Sequence, residues 1–251
     1  MALIFTWHSA AGTHVGKVRH INEDSYLDRP EIGLWAVADG MGGHEAGDVA
    51  SRTVVEELNR VPAPVSREAL IGNIERRLHA ANERLLDYAA QRGEGGICGS
   101  TVVVLACHAG TAWCLWAGDS RIYRYRGGAL ERLTQDHSQV QELIRLGLID
   151  RAEAETHPAG NVVTRAVGAA DILNLDVDSH DLGADDVFLL CSDGLTGHIR
   201  DEEIAAALAA VAEVPGAGAC RTAVEGLLER TLEQGARDNV TLVIVRIQQA
   251  H

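Results

Sequence analysis

The stretch Val37-Ala38-Asp39-Gly40-Met41-Gly42-Gly43-His44-Glu45-Ala46-Gly47 decides how the rest of the chain is interpreted. It predicts a strand over residues 34–38 that delivers one carboxylate, Asp39, to a glycine-rich turn before a helix. Glycines let the backbone bend sharply and bring a carbonyl close to an ion, an approach that a side chain would block. The hypothesis is a metal held partly by a side chain and partly by the backbone. The alternative is a plain connection, because glycine-rich turns also serve that purpose.

Length and composition are those of an ordinary globular chain. It has 251 residues, of which 46% are hydrophobic and 23% are charged, and it contains five prolines. These values predict a sizeable core and argue against a disordered linker. The net charge of −14 argues against a nucleic-acid partner, because such a partner calls for a basic face.

The cysteines and the hydropathy bear on the cellular compartment. The five cysteines are odd in number and form no CxxC pair, and four of them sit in apolar runs, which predicts buried thiols in a reducing compartment. Residues 2–7 are too short an apolar run for a signal peptide and lack a basic start. No apolar run approaches the roughly 20 residues of a membrane span. We therefore expect a cytoplasmic monomer with no membrane partner.

Local patterns predict blocks of strands and helices. The clearest element is a helix with Ser66 as its N-cap that runs to Gln91, with apolar residues at three- and four-residue spacing. Turns at Ala109-Gly110 and Gly127-Gly128 are expected to join antiparallel strands. Because no βαβ alternation appears, an α+β sandwich is favoured over a doubly wound sheet. The predicted strands are 2–7, 15–18, 26–28, 34–38, 101–107, 111–117, 122–126, 129–133, 173–177, 187–191 and 240–247, and further helices are predicted at 48–61, 138–146, 201–210 and 219–234 and from residue 150.

The candidate chemistry lies in aspartates at strand ends, each beside a glycine or an asparagine. Hard oxygen ligands without a histidine cluster favour Mg²⁺ or Mn²⁺ over Zn²⁺. Two such ions about 3.5–4 Å apart can share one carboxylate and hold a water that attacks phosphorus directly. That route needs no covalent nucleophile, and the sequence has neither a GxSxG serine nor a cysteine followed by arginine at the spacing of a thiolate phosphatase. The aspartates are Asp39, Asp119, Asp193 and Asp238.

Eight short motifs follow one another along the whole chain. They are Arg19-His20-Ile21-Asn22-Glu23-Asp24, Ala38-Asp39-Gly40-Met41-Gly42-Gly43-His44, Gly99-Ser100-Thr101, Gly118-Asp119-Ser120-Arg121, Leu133-Thr134-Gln135-Asp136-His137-Ser138, Arg165-Ala166-Val167-Gly168, Ser192-Asp193-Gly194 and Arg237-Asp238-Asn239-Val240-Thr241. In these motifs and their order the chain resembles metal-dependent serine/threonine protein phosphatases of the 2C type, the PPM family, in their compact bacterial form. The resemblance implies a four-layer α/β/β/α sandwich of two antiparallel sheets flanked by helix pairs. It also implies a single domain over residues 1–251, with a flap insertion at about 134–168.

The resemblance further implies a metal-binding role for each acid. Asp39 would bridge two Mn²⁺ or Mg²⁺ ions, and the Gly40 carbonyl would complete the first site. Asp193 and Asp238 would bind the second ion. Asp119, together with Asp193, would hold a third and weaker ion.

Catalytic and substrate roles are implied in the same way. Glu23 would hold metal-bound water, and Arg19 would bind the substrate phosphate, which guanidinium geometry suits. His44 is the candidate proton donor, because Met41 stands where animal relatives carry a histidine. His157 is the candidate substrate contact, although the arginine that often follows the family's His-Pro pair is lacking here.

The implied activity is the hydrolysis of phosphoserine and phosphothreonine in proteins, which reverses a Ser/Thr kinase. One alternative is a pseudophosphatase, a regulatory module that binds phosphoproteins without turnover, and another is a metallohydrolase of small phosphoesters. The complete set of acids favours the enzyme. Away from the acids, Arg121 and Arg165 are expected to form ion pairs that hold loops, and His137 is expected to be structural.

Overall fold

Two antiparallel sheets pack face to face, and helices lie outside both. The structure is a computed structural model, and it describes residues 5–42, 46–64, 66–92, 98–154, 157–160, 162–214 and 216–249. One sheet has the strand order β1-β11-β10-β7-β8, and the other has the order β2-β3-β5-β6-β9, with β4 paired to β3. The strands are β1 (Phe5–His14), β2 (Asp24–Arg29), β3 (Leu34–Met41), β4 (Gly99–Ser100), β5 (Val102–His108), β6 (Thr111–Ala117), β7 (Arg121–Arg126), β8 (Ala129–Arg132), β9 (Asp176–Asp181), β10 (Val187–Cys191) and β11 (Val240–Gln249). The helices are α1 (Ala46–Leu58), α2 (Arg67–Gln91), α3 (Gln139–Arg145), α4 (Arg151–Ala154), α5 (Asp193–Thr196), α6 (Asp201–Glu213) and α7 (Ala217–Glu233), with a 3₁₀ turn at Pro30–Ile32.

Three apolar layers hold these elements together. The middle layer lies between the sheets, where side chains such as Trp35 and Val103 face Phe188 and Val243. One outer layer packs α1 and α2 onto β3 and β5, and the other packs α6 and α7 onto β10 and β11. The predicted α+β sandwich with helix layers on both outer faces is therefore confirmed.

The predicted long helix is confirmed as α2. Ser66 Oγ accepts a hydrogen bond from the Ala69 amide at 3.2 Å, so the predicted N-cap forms. The predicted apolar stripe is fully buried against the sheet. Both predicted hairpin turns are also present, since β5 pairs with β6 and β7 pairs with β8 across two-residue connections.

Three predicted strands differ from the structure. The strand predicted at 2–7 corresponds to β1, which continues to His14, and residues 2–4 lie outside the described residues. Residues 15–18 form a loop, because β1 already extends from Phe5 to His14 and its partner β11 begins at Val240, opposite His14. Among the described residues, the segment before β11 forms one backbone hydrogen bond with this loop, from the Lys17 amide to the Ala236 carbonyl at 2.8 Å, and one bond does not make a strand pair. The strand predicted at 173–177 is displaced to β9, Asp176–Asp181, where it pairs with β6 at the sheet edge.

The segment between β8 and β9 contains α3 and α4. Ser138 caps α3 by accepting a hydrogen bond from the Gln141 amide, and a bridge between Ser138 and Val163 closes the base of the segment. That these residues form a flap stays a prediction.

Two further expectations concern cysteines and membranes. All five cysteines are buried and unpaired, as predicted. Within the described ranges, no helix combines the length and the apolar character needed to cross a bilayer.

Candidate metal centre

The ends of strands from both sheets bring the predicted acids together. Asp39 lies near the end of β3, directly opposite Asp24 in the antiparallel pairing of β2 and β3. Asp193 follows β10, and Asp238 precedes β11 in the other sheet. The carboxyls of Asp39 and Asp193 lie close enough across the sheets for the charge of Asp193 to raise the pKa of Asp39. Acids far apart in the chain therefore meet at one edge of the sandwich.

The backbone of Asp39 is fixed by the neighbouring β4–β5 segment. Its carbonyl accepts hydrogen bonds from the Thr101 amide at 2.8 Å and from Ser100 Oγ at 3.0 Å. Its amide donates to Thr101 Oγ1 at 3.3 Å, and that hydroxyl lies 2.7 Å from Ser120 Oγ, next to Asp119. These bonds connect the Asp39 strand end to the loop that carries Asp119.

Burial and mutual repulsion make this cluster hard to ionise. Burial is the main cause that raises the pKa of Asp39, and the charges of Asp24, Asp193, Asp119 and Asp238 raise it further. The pKa of Asp193 is also raised, by burial and by Asp238. Positive charge close to these carboxyls would counteract both causes and favour their ionised forms.

Asp24 is a buried acid with one satisfied oxygen. Its Oδ2 accepts a hydrogen bond from Ser192 Oγ at 2.8 Å, while its Oδ1 is buried without a partner in the described structure. Burial raises the pKa of Asp24 to about 7. A buried carboxylate with an unpartnered oxygen is the feature that a cation or a bound water satisfies.

Gly40 and Gly47 make room for Glu23. A Cβ atom on Gly47 would lie 2.2 Å from Glu23 Oε1 and 2.9 Å from the Gly40 carbonyl oxygen, and one on Gly40 would lie 1.9 Å from the Gly47 carbonyl oxygen. Burial raises the pKa of Glu23. Two glycines thus let a carboxylate and a backbone carbonyl share one small space. Gly47 had no predicted role, although it is the last residue of the stretch 37–47 that carries Asp39.

Arg19 reaches this edge from the loop before β2. Its Nη2 donates to Asp238 Oδ2 at 2.7 Å, and both side chains remain about half exposed. The bond to Asp238 raises the pKa of Arg19. The residue predicted to bind phosphate therefore lies beside a predicted metal ligand.

The donor set fits a hard divalent cation. It consists of carboxylates and backbone carbonyls, which suit Mg²⁺ and Mn²⁺, and it includes buried acids whose repulsion a cation would relieve. Among the residues that the structure describes, no three acidic, histidine or cysteine side chains converge as one closed set. The ligand roles of Asp39, Gly40, Asp193 and Asp238 stay predictions.

Asp119 lies at the side of the cluster, in the loop between β6 and β7. Burial raises its pKa to about 7, and the charge of Asp193 adds to the shift. A cleft of about 710 Å³ borders both residues and continues toward the 134–168 segment. On its wall Arg121 forms a bidentate pair with Asp136, with a shortest distance of 2.8 Å, as the predicted loop-holding role requires.

The histidines have different outcomes. His44 lies outside the described residues. His157 lies in the turn 157–160, where its Nδ1 accepts a hydrogen bond from the Ala159 amide at 3.1 Å, and its substrate contact stays a prediction.

His137 is buried and stacked on Trp116, with Nδ1 accepting from the Gly118 amide at 3.2 Å, which agrees with a structural role. Arg165 pairs with Asp176 at 2.8 Å, as predicted.

Comparison with known proteins identifies relatives along almost the whole chain. A family profile described as Protein phosphatase 2C matches residues 11–233. The chain is 30% identical over 245 residues to the serine/threonine phosphatase stp of Listeria welshimeri, and the match covers 95% of each chain.

Solved structures of other proteins resemble this chain in both fold and sequence. One is PppA, described as a key regulatory component of T6SS in Pseudomonas aeruginosa, with a TM-score of 0.86, 44% identity and 98% of each chain covered. Another is the catalytic domain of the serine/threonine protein phosphatase PstP in complex with two manganese ions, with a TM-score of 0.83 and 30% identity. That match covers 98% of this chain and 100% of the other. These matches confirm the resemblance predicted from the eight motifs.

Proposed function

This chain belongs to the protein phosphatase 2C family, and we propose on that premise that it hydrolyses phosphoserine and phosphothreonine in proteins with two Mn²⁺ or Mg²⁺ ions. The observation that carries the proposal is the meeting of Asp39 and Asp193 across the two sheets, beside Arg19 and Glu23. Relatives named as serine/threonine phosphatases, one of them holding two manganese ions, support an active enzyme over a pseudophosphatase.

Each residue of the edge would contribute a separate action. When bound, the ions would supply positive charge for the transition state and lower the pKa of a water. Asp39 would be shared between the ions, with the Gly40 carbonyl at the first and Asp193 and Asp238 at the second. Arg19 would turn from Asp238 toward the substrate phosphate, because a guanidinium fork matches phosphate oxygens.

The remaining roles lie further from the centre. Glu23 would orient the attacking water through hydrogen bonds, and His44 would donate a proton to the leaving serine or threonine oxygen. Asp119, with Asp193, would hold a third and weaker ion. His157 would contact the protein substrate from the flap.

The wider setting is part of the same proposal. The chain would act as one domain with a flap at 134–168, as a monomer, and against a Ser/Thr kinase that phosphorylates the same proteins. The five buried free cysteines support a reducing compartment such as the cytoplasm. The likeness to PppA, which is described as a regulatory component, supports a regulatory role for this chain.

The test is hydrolysis of a phosphothreonine peptide with and without Mn²⁺. We expect phosphate release with Mn²⁺, none in excess chelator, and recovery when Mn²⁺ is returned. Full activity in chelator would overturn the metal-dependent mechanism, and a peptide rate no higher than that on a small aromatic phosphoester would favour the small-ester alternative.

A further inference from the structure

The loop that carries Arg19 and Glu23, residues 15–23, lacks regular structure and is held by the segment 236–239 before β11. The Lys17 amide donates to the Ala236 carbonyl at 2.8 Å. Gly16 has a φ of +80°, and a Cβ there would lie 2.3 Å from the Asp238 carbonyl oxygen. The two segments therefore pack backbone against backbone, a contact that only glycine permits at this position.

The side chain of Asn239 makes the largest set of bonds between these segments. Its Oδ1 accepts from the Glu23 amide at 2.8 Å, while its Nδ2 donates to the Val15 carbonyl at 2.9 Å and the Ile21 carbonyl at 3.0 Å. The residue is only 4% exposed. One buried amide thus binds the loop on both sides of Arg19, with its acceptor and both donors in use.

The same residue is joined to the predicted metal ligand. Its backbone amide donates to Asp238 Oδ1 at 2.9 Å, while Asp238 Oδ2 accepts from Arg19 at 2.7 Å. Asp238 and Asn239 therefore present one carboxylate toward the centre and one amide toward the loop. Any shift of the amide would move Arg19 and Glu23 relative to that carboxylate.

We propose that Asn239 is the positioning residue that sets Arg19 and Glu23 against Asp238, and so sets the affinity for the substrate phosphate. The inference rests on the proposed function for its kinetic consequence, but its structural part does not. Small misplacements of binding groups cost large factors in rate and affinity. No other common side chain reproduces the bonds: aspartate lacks the donors, and glutamine is one methylene longer.

The first test measures hydrogen exchange in metal-free protein, in excess chelator. Asn239→Ala should speed exchange in the peptide over residues 15–23 by about tenfold or more, because three backbone groups lose their partner. The matched control is Asn82→Ala. Asn82 is 2% exposed, its Oδ1 accepts from the Gly168 amide at 2.7 Å, and its Nδ2 donates to the Ala170 carbonyl at 3.0 Å. The control should leave exchange over 15–23 unchanged. Unchanged exchange in Asn239→Ala would overturn the proposal.

The second test is a double-mutant cycle on a small phosphoester with Mn²⁺. Asn239→Ala should raise KM about tenfold. In an Arg19→Ala background it should reduce kcat/KM by less than about threefold further, because both changes remove the same interaction with the phosphate. Asn82→Ala should leave KM as in the unmodified protein. A KM unaffected by Asn239→Ala, or single losses that multiply in the double variant, would overturn the role.

A second variant covers the case in which Asn239→Ala does not fold. Gly16→Ala disturbs the same contact from the loop side, and it should raise KM and speed exchange over residues 15–23 in the same way. If Gly16→Ala changes neither, the proposal is wrong. Absence of metal-dependent hydrolysis in the unmodified protein would count against the proposed function alone, because the exchange experiment uses metal-free protein and still decides the positioning role.

Discussion

The centre of the candidate site and its flank are built in different ways. The central acids stand on strand ends whose positions are set by sheet pairing, as in the pairing of Asp24 with Asp39, and by bonds such as those from Ser100 and Thr101 to the Asp39 carbonyl. The flank, residues 134–168, consists of short helices and turns and leaves Leu146 55% and Leu148 65% exposed. Rigid strand ends suit the chemistry of one fixed group, whereas a loop segment with exposed apolar side chains suits contact with varied protein surfaces.

The largest effect should come from the centre, in Asp39→Asn. The change keeps the size of the side chain and removes the shared carboxylate, so kcat/KM should fall by roughly a thousandfold, or about 4 kcal/mol. The Tm of the metal-free variant should be higher than that of the unmodified protein. A buried acid whose pKa is raised by burial and by its neighbours disfavours the folded state when it ionises.

The control for Asp39→Asn is Asp28→Asn. Asp28 also lies on a strand of the same sheet, and it accepts hydrogen bonds from Trp35 Nε1 and Ser9 Oγ, roles that asparagine can keep. Its activity should stay within about twofold of the unmodified protein. Equal losses of activity in the two variants would mean that the effect comes from a disturbed fold and that Asp39 has no special role in catalysis.

A smaller effect is expected at the border of the two regions, in Asp119→Asn. Its predicted ion is separate from the main pair, so turnover should fall about tenfold while two Mn²⁺ ions still bind tightly. Calorimetric titration with Mn²⁺, alongside steady-state rates, measures both quantities. Loss of the tight sites would place Asp119 in the centre, together with Asp39 and Asp193.

The dependence of folding stability on pH distinguishes the buried acids Asp24 and Asp119 from ordinary surface charges. Burial raises the pKa of Asp24 and of Asp119 from 3.8 to about 7, so the folded protein binds more protons than the unfolded chain between these values. Their contribution is present below about pH 4 and is lost as the pH rises through about 7.

Unfolding scans of the metal-free protein at pH 5 and pH 8 measure this effect. Asp119→Asn should reduce the loss of Tm between the two pH values, with about 2–4 °C expected for each kcal/mol recovered. Added Mn²⁺ should raise Tm more at pH 8 than at pH 5, because metal and protons compete for the same oxygens. An identical pH dependence in the variant and the unmodified protein would show that Asp119 ionises freely.

The smallest effect on chemistry should come from the flank. Gln139→Ala and the double variant Glu142→Ala/Arg145→Ala alter exposed groups, and the ion pair between Glu142 and Arg145 contributes little to stability at the surface. Rates on a phosphoprotein should change by about two- to fivefold while small-ester rates stay level. Glu229→Ala on the exposed face of α7 is the control. Parallel losses on both substrates would show that the segment supports the centre.

Local signals in the sequence account for much of the fold. The N-cap at Ser66, the turn at Gly127-Gly128 and the apolar run of β10 depend on neighbours in the chain, and each was predicted correctly. The loop 15–18 was predicted as a strand, and only the length of the β1–β11 pairing shows that the strand ends at His14.

The site follows the same division. The acids at Asp39 and Asp193 are visible as strand-end residues beside glycines, but their approach to each other across two sheets is not a local property. Gly47 and Asn239 were missed as parts of the site, although both stand in quoted stretches, because their roles are close contacts with a loop far away in sequence. The one available signal was their position beside a predicted ligand or its glycine turn.

Anomalous diffraction at the manganese edge, from crystals grown with Mn²⁺, locates the ions and their ligands. We expect two Mn²⁺ peaks about 3.5–4 Å apart that share Asp39, with the Gly40 carbonyl at one ion and Asp193 and Asp238 at the other. Manganese that binds elsewhere, or peaks without Asp39 as a ligand, would contradict a two-metal centre on Asp39.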